Sequence, residues 1–199
     1  MTKEELIKEL IDFVEGKIEI NIIYEELLKG KFNCLFDVYL GDKIRMYGKS
    51  SVLECLKTCG INTAHNRYCF WHGVEAYLYF YQYPYNPSKK YYDEWSYKVD
   101  IQPSYVYIDD DNILNMYIDS SPSELNKSEK KKWIKNKIKQ DFKYDKVPPR
   151  WIQEPEWPIV DGVPLIFKKQ SKMTLEDERV YYTFYHPQTF EETIVIQYY

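Results

Sequence analysis

The sequence predicts an α+β protein: a mainly helical N-terminal three quarters packed with a small antiparallel β-sheet at the C-terminus. Three observations lead there. Up to about residue 146, apolar residues recur at three- and four-residue intervals between helix start and stop signals. At Pro148–Pro149 the character changes: residues 148–164 hold five of the ten prolines and two of the five Trp, which excludes a helix interior. Beyond them, short runs of β-branched and aromatic residues alternate with turn residues. The chain reads as a single domain, 1–199, with a helical part over 1–146 and a β part over 147–199. Its 199 residues can bury a core without disulfides or metals.

The elements follow in order. Thr2 and Glu5 form a capping box, Leu6, Ile7, Leu10, Ile11 and Val14 share one helical face, and Gly16 ends the helix. A second helix runs from Asn21 through Ile22, Ile23, Leu27 and Leu28 to Gly30. Residues Lys31 to Tyr39 suit a short third. A fourth opens at Ser50 or Ser51, carries Val52, Leu53 and Leu56, and stops at Gly60. Residues 63–82 fit two patterns. Val74, Tyr77, Leu78 and Tyr81 make a helical stripe, while Tyr77, Tyr79, Tyr81 and Tyr83 alternate as in a strand. Length and Ala76 favour the helix, which Pro84 and Pro87 end. Residues 88–100 place Tyr91, Trp95 and Val99 at fourfold spacing before Pro103. Asp109–Asp111 opens a short helix with Ile113, Leu114, Tyr117 and Ile118, and a long one covers roughly 126–143 with Trp133, Ile134, Ile138 and Phe142 as its stripe. Val163–Phe167, Arg179–Tyr185 and Thr193–Tyr199 read as strands, the last two joined by a turn around His186–Phe190.

Composition narrows the function classes. A net charge of −4, with 44% hydrophobic and 29% charged residues, excludes global disorder. No apolar run reaches the ~18–20 residues of a membrane helix. The opening MTKEELIKEL is charged from its third residue and lacks a secretory signal, so the expected location is the cytoplasm. Two readings of the 21 Tyr stand side by side. Abundant Lys, Ile, Asn and Tyr match the codon bias of an AT-rich genome. Tyr also suits interfaces, because its ring is large and rigid and its tip is polar.

The chemistry-bearing residues form one tempting group: Cys55, Cys59, His65, Cys69 and His72. Zinc takes four ligands of these types. However, no C-x-x-C is present, and Cys55 and Cys59 sit four apart on a predicted helix among leucines, where thiols are ordinarily buried. No metal and no cofactor are expected. Asp93–Glu94, Asp109–Asp111, Glu154 with Glu156, and Glu191–Glu192 are sequence neighbours on helix ends or turns, not carboxylates set across a cleft. His186 sits in a turn. No phosphate-binding glycine loop, nucleophile elbow or H-E-x-x-H helix is present, and no enzyme activity is expected. Residues 124–146 carry nine Lys against four carboxylates, which suits a solvated helix face; tracking a nucleic-acid backbone is the alternative.

The last quarter carries a more specific pattern. Trp151-Ile152-Gln153-Glu154-Pro155-Glu156-Trp157-Pro158, then Asp161-Gly162, Pro164-Leu165-Ile166-Phe167 and Gln170, reads W-x-Q-x-x-x-W-P followed by G-x-P-x-x-F-x-x-Q. Tyr181–Tyr185 and Thr193–Gln197 follow. This resembles the β-strand core of YwqG-like proteins and the C-terminal part of bacterial immunity-type proteins encoded beside polymorphic toxins. The resemblance is clearest over 148–199 and weaker at Gly60–Ala64 and Asp100–Pro103. It implies a non-catalytic, protein-binding immunity protein that neutralises a cognate toxin, and it carries no site residue over. In physical terms, Trp151 and Trp157 are expected to pack across the start of the sheet, and Gln153, Gln170 and Gln197 to bond backbone where strands end. A toxin-binding surface is expected where exposed Tyr meets carboxylate: Tyr83, Tyr85, Tyr91, Tyr92, Tyr105 and Tyr107 beside Asp109, Asp110 and Asp111. The alternatives are a nucleic-acid-binding module using helix 126–146 and a zinc- or Cys-dependent enzyme. A membrane partner is excluded and nucleic acid is not favoured.

Overall fold

The computed structural model describes residues 2–171 and 178–199. It is α+β, with eight α-helices followed by a small antiparallel sheet among the described residues. The chain forms two compact units, residues 1–97 and 98–199. The division falls inside one helix, after Tyr97, whereas the break in composition at Pro148–Pro149 lies within the second unit.

The first unit holds helices α1 (Lys3–Val14), α2 (Ile20–Leu28), α3 (Asn33–Phe36), α4 (Val52–Cys59) and α5 (Ala64–Phe80), and most of α6 (Lys90–Asp100). Its caps follow the sequence signals. Thr2 Oγ1 accepts from the Glu5 amide while the Glu5 carboxylate accepts from the Thr2 amide, and Ser51 with Glu54 repeats the arrangement on α4. Three of its helices end at a glycine: α1 at Gly16, α2 at Gly30 and α4 at Gly60. Gly16 and Gly30 take φ of +81° and +87°, so that the Lys17 and Lys31 amides reach back to the carbonyls of Asp12 and Glu26. The core is built from Leu10, Phe13 and Val14 of α1, Ile23 and Leu27 of α2, Leu56 of α4, and Phe70, Val74 and Leu78 of α5, all fully buried.

Helix α4 packs close against α5 because Gly73 has no side chain. A Cβ there would lie 2.6 Å from Leu56 Cδ2, and the Tyr47 hydroxyl donates to the Gly73 carbonyl at 2.6 Å. Within residues 63–82, Ala64–Phe80 is a helix and not a strand. Tyr77 and Tyr79 would share a face in a strand; here Tyr77 is buried and Tyr79 is 76% exposed.

The second unit holds the end of α6, helices α7 (Asp111–Asp119) and α8 (Lys127–Asp141), and strands β1 (Ile159–Val160), β2 (Val163–Pro164), β3 (Ile166–Gln170), β4 (Arg179–Tyr185) and β5 (Glu192–Tyr198). The sheet order is β3-β4-β5, fully antiparallel. Residues 143–145 run parallel to β3 on its other edge, with Phe167 N–H donating to Lys143 and Asp145 N–H to the Phe167 carbonyl. Val163–Phe167, predicted as one strand, is divided at Leu165, whose N–H donates to the Pro158 carbonyl and whose carbonyl accepts from Trp157 Nε1. The preceding residues pair instead into a hairpin, β1 with β2. Asp161 and Gly162 form its two-residue turn, both left-handed at φ +50° and +76°, as a type I′ turn requires.

Both tryptophans of the Trp-Pro segment pack on the face of the sheet that carries Tyr182 and Phe184. Trp151 packs 4.4 Å from the Tyr182 ring and 6.0 Å from Phe184, and Trp157 5.2 Å from Phe184. The three glutamines bond backbone as expected: Gln170 both accepts from and donates to Arg150, Gln153 donates to the Tyr198 carbonyl, and Gln197 reaches residues 152–154. Among the described residues no helix is long and apolar enough to cross a membrane.

Candidate protein interface

The residues expected to form a contact surface separate. Tyr83, Tyr85, Tyr91 and Tyr92 belong to the first unit; Tyr105, Tyr107 and Asp109–Asp111 belong to the second. Tyr91 is a correction. It is 3% exposed, and its hydroxyl accepts from the Ile20 amide, because the α6 stripe that carries it faces the Phe13 ring, 6.1 Å away. Tyr85 is half-buried with its hydroxyl on Glu75. In the second unit, Asp110 caps α7 by accepting from Asn112 and Ile113, and Asp111 pairs with Lys98 at 2.7 Å. These two carboxylates are thus committed to helix and ion pair. Tyr107 is half-buried with its hydroxyl 3.3 Å from Asp109. Tyr105 packs edge-on to Tyr144 and against Trp157, and its carbonyl accepts from Trp151 Nε1.

Tyr92 joins a different aromatic group. Trp95 and Tyr68 stack at 4.7 Å and 2°, His65 lies on Trp95, His72 lies on Tyr68 at 5.5 Å and 5°, and Tyr92 meets this stack edge-on. Both histidines are therefore stack members, with His72 also 3.9 Å from Glu75. Among the described residues no group of three or more His, Cys, Asp or Glu is placed to hold a metal ion.

Two of the expected residues open onto grooves: Tyr105 borders one with Lys139, Lys143 and Tyr144, and Tyr83 borders another, where the structure adds neighbours that the sequence did not single out. Helix α5 ends in a left-handed cap. The Gln82 amide donates to Tyr79 and the Tyr83 amide to Leu78, the same bonds that Gly16 and Gly30 allow at the ends of α1 and α2. Here the left-handed residue is Gln82, at φ +58°. A side chain in that conformation costs about 1–2 kcal/mol over glycine. Gln82→Gly is accordingly expected to raise stability by roughly 1 kcal/mol, read as a higher urea midpoint at unchanged slope; an unchanged or lower midpoint would show that no strain is held there.

The reversal at Gln82 gathers Tyr79, Phe80, Tyr81 and Tyr83 at one end of α5. Tyr81 packs on Tyr77 at 4.9 Å and on Phe80 at 5.0 Å. Lys43 Nζ sits 5.2 Å from the centre of the Phe80 ring. Lys43, Ile44, Tyr79, Phe80, Gln82 and Tyr83 line an open groove of about 500 Å³. Tyr83 also borders a second groove, of about 390 Å³, formed with Lys3, Ile7, Lys8 and Ile11 of α1. Burial pushes the hydroxyl of Tyr77, which packs on Tyr81, well above the ordinary phenol range. Aromatic anchors within a charged rim are the composition of a protein contact, and the rim here is mostly cationic, not the acidic one expected.

The Lys-rich helix α8 buries Ile134 and Ile138, and two of its lysines are paired: Lys131 with Asp100 at 2.8 Å and Lys137 with Asp141 at 3.2 Å. Comparison with protein-family models, with curated proteins and with solved structures finds no significant match to this chain.

Proposed function

We propose that the chain is a non-catalytic, cytoplasmic protein-binding protein whose contact surface is the tyrosine cluster at the end of α5. The observation that carries this is the exposure of Tyr79 and Tyr81 just before a left-handed Gln82, next to a groove lined by Phe80. Natural backbones hold such strain where a site needs a fixed geometry. Rigid tyrosines held this way can bury apolar area on a partner at little entropic expense. The particular form of binding suggested by the W-x-Q-x-x-x-W-P pattern is immunity: occlusion of a cognate bacterial toxin. The cationic rim of Lys3, Lys8 and Lys43 favours an acidic patch on that partner.

The test is protection of a sensitive cell by coexpression of this chain with a candidate toxic domain taken from a neighbouring gene. The wild-type chain is expected to protect, and a Tyr79→Ser, Tyr81→Ser double variant of unchanged melting temperature is expected to lose protection by tenfold or more in survival. Stable substitutions along α8, such as Lys132→Ser with Lys139→Ser, are expected to leave protection intact. The reverse pattern would move the interface to α8 and sink this assignment.

A further inference from the structure

Strand β5 closes one side of the sheet, and among the described residues no strand or bridge pairs with its outer edge. The phase of its ladder is fixed at both ends. The Tyr199 amide donates to the Glu178 carbonyl, and the His186 amide donates to the Glu191 carbonyl. In an antiparallel pair, successive residues alternate between bonding their neighbour and pointing away from it. Thr193, Val195 and Gln197 therefore bond β4, and Glu192, Ile194, Ile196 and Tyr198 turn their N–H and C=O groups outward. Tyr198 agrees with this phase, since its carbonyl accepts from Gln153 Nε2 at 2.8 Å. The open backbone is thus that of Glu192, Ile194 and Ile196. The usual guards of such an edge are absent: β5 has no proline, no lysine and no bulge in its register. Its single charge, Glu192, leans the other way, across the sheet to Lys168 of β3 at 2.5 Å. The side chains of Ile194 and Ile196 are 55% and 40% exposed.

We propose that this edge pairs with the same edge of a second copy of the chain, antiparallel about a two-fold axis at Ile194, so that two three-stranded sheets join into one. The open residues select the register. Glu192, Ile194 and Ile196 are symmetric about Ile194, so Ile194 faces its own copy and Glu192 faces Ile196 of the second copy. Every open N–H and C=O group of the three residues then finds a partner. Sliding the pair by two residues in one direction would set the Glu192 amide on the Tyr198 carbonyl that Gln153 already holds. Sliding it the other way would leave Ile196 facing residues that precede the strand. Charge favours the same register, because each Glu192 lies opposite an isoleucine and no like charges meet. Ile194 and Ile196 of the two copies form one apolar band, which covers side chains that a single copy leaves in water. An edge of this length lies at the small end of specific interfaces, so the dimer is a weak one. It is separate from the Tyr79–Tyr81 surface, which belongs to the first unit.

Sedimentation equilibrium of the full chain reads the dimer. The wild-type mass is expected to rise from the monomer value towards twice that value between about 1 and about 300 μM, the range of a weak complex. Ile194→Pro is the selective variant. The amide it removes points away from β4, so the internal ladder keeps its bonds while the two-fold pairing loses its centre. Ile194→Lys puts a charge on the edge and serves where the proline variant does not fold. Both are expected to stay monomeric at every concentration. Ile194→Cys tests the register, because the Cα atoms of a bonded pair stand about 5.5 Å apart, within disulfide reach. After mild oxidation and digestion with trypsin, peptide 180–199, which holds no native cysteine, is expected to be joined to itself. The joining should run about tenfold faster than in Ile196→Cys, whose two copies lie four residues out of line. A wild type that stays monomeric throughout leaves the edge to a strand of a different protein and overturns the proposal. So do an Ile194→Pro or Ile194→Lys variant that dimerises like the wild type, a dimer lost only in the Tyr79→Ser, Tyr81→Ser double variant, and equal cross-linking of the two cysteine variants.

Discussion

Trp157→Ala is expected to destabilise the second unit by about 3–5 kcal/mol, the usual range for truncating a buried large aromatic. Trp157 is buried within a ring of aromatics: Phe184 at 5.2 Å, Phe142 at 5.6 Å, Tyr105 at 5.9 Å and Phe167 at 6.4 Å. These neighbours come from the end of α8, the loop before α7, and two strands of the sheet. One side chain therefore joins the helical and β parts of this unit. Truncation leaves a cavity that four rings from four separate segments cannot collapse into together. Its Nε1 also donates to the Leu165 carbonyl at 2.8 Å, at the point where the chain passes from hairpin to sheet. Trp157→Phe separates the two contributions: it keeps most of the ring contact, leaves that carbonyl unpaired, and should cost about 1–3 kcal/mol. Urea unfolding followed by far-UV circular dichroism reads both. If the Ala variant melts with the wild type, Trp157 does not organise the unit.

How much of this was legible in the sequence depends on how local each determinant is. Helix starts were legible because a cap needs only a few residues: Thr2 with Glu5 and Ser51 with Glu54 reach only across their own first turn. The ends at Gly16 and Gly30 were legible for the same reason. The end of α5 was legible to within two residues from Pro84 and Pro87, but its left-handed cap was not, because Gln82 takes the place that composition reserves for glycine. That one substitution hid the residue that organises the candidate interface, and Tyr79 and Tyr81 were seen only as part of an alternation. The hairpin β1–β2 was missed although Asp161-Gly162 was visible, because its strands are two residues long and carry no periodicity.

The interface expectation met a harder limit. Tyr91 and Tyr92 are adjacent and chemically alike, yet one is in the core and the other is 46% exposed. The difference is a helix phase of 100° per residue, set by which side of α6 meets Phe13. Composition cannot supply that phase. Likewise, a row of three aspartates reads as an acidic rim until Lys98 and the α7 amides are found to take two of them. By contrast, Gln153, Gln170 and Gln197 were read correctly because a glutamine among strands and prolines has few uses other than bonding backbone that no neighbouring strand satisfies.

Gln197 gives the second large effect. It is completely buried near the end of β5, on the sheet face that carries Val180 and Tyr182. Its Oε1 accepts from the amides of Ile152 and Gln153, both at 3.2 Å, and its Nε2 donates to the Glu154 carbonyl at 2.7 Å. The irregular Trp-Pro segment is thus fixed to the sheet by one amide. Gln197→Ala should cost about 2–4 kcal/mol, since it opens a cavity and leaves the Gln153 amide and the Glu154 carbonyl without this partner; the Ile152 amide retains the Tyr182 hydroxyl at 3.1 Å. Gln197→Glu is the sharper experiment, because it keeps the shape and both acceptor bonds. An ionised carboxylate there would face the Glu154 carbonyl with no proton to donate, so burial and that carbonyl both favour the neutral acid and raise its folded pKa above the unfolded value of about 4.3. The unfolded state then releases its proton at lower pH than the folded state does. Stability relative to wild type is therefore retained below about pH 4 and falls as pH rises from there through the folded pKa. Urea midpoints of Gln197→Glu and wild type should converge near pH 4 and separate towards pH 7; a gap that stays constant with pH would show that water, and not the Gln197 amide, satisfies the Glu154 carbonyl.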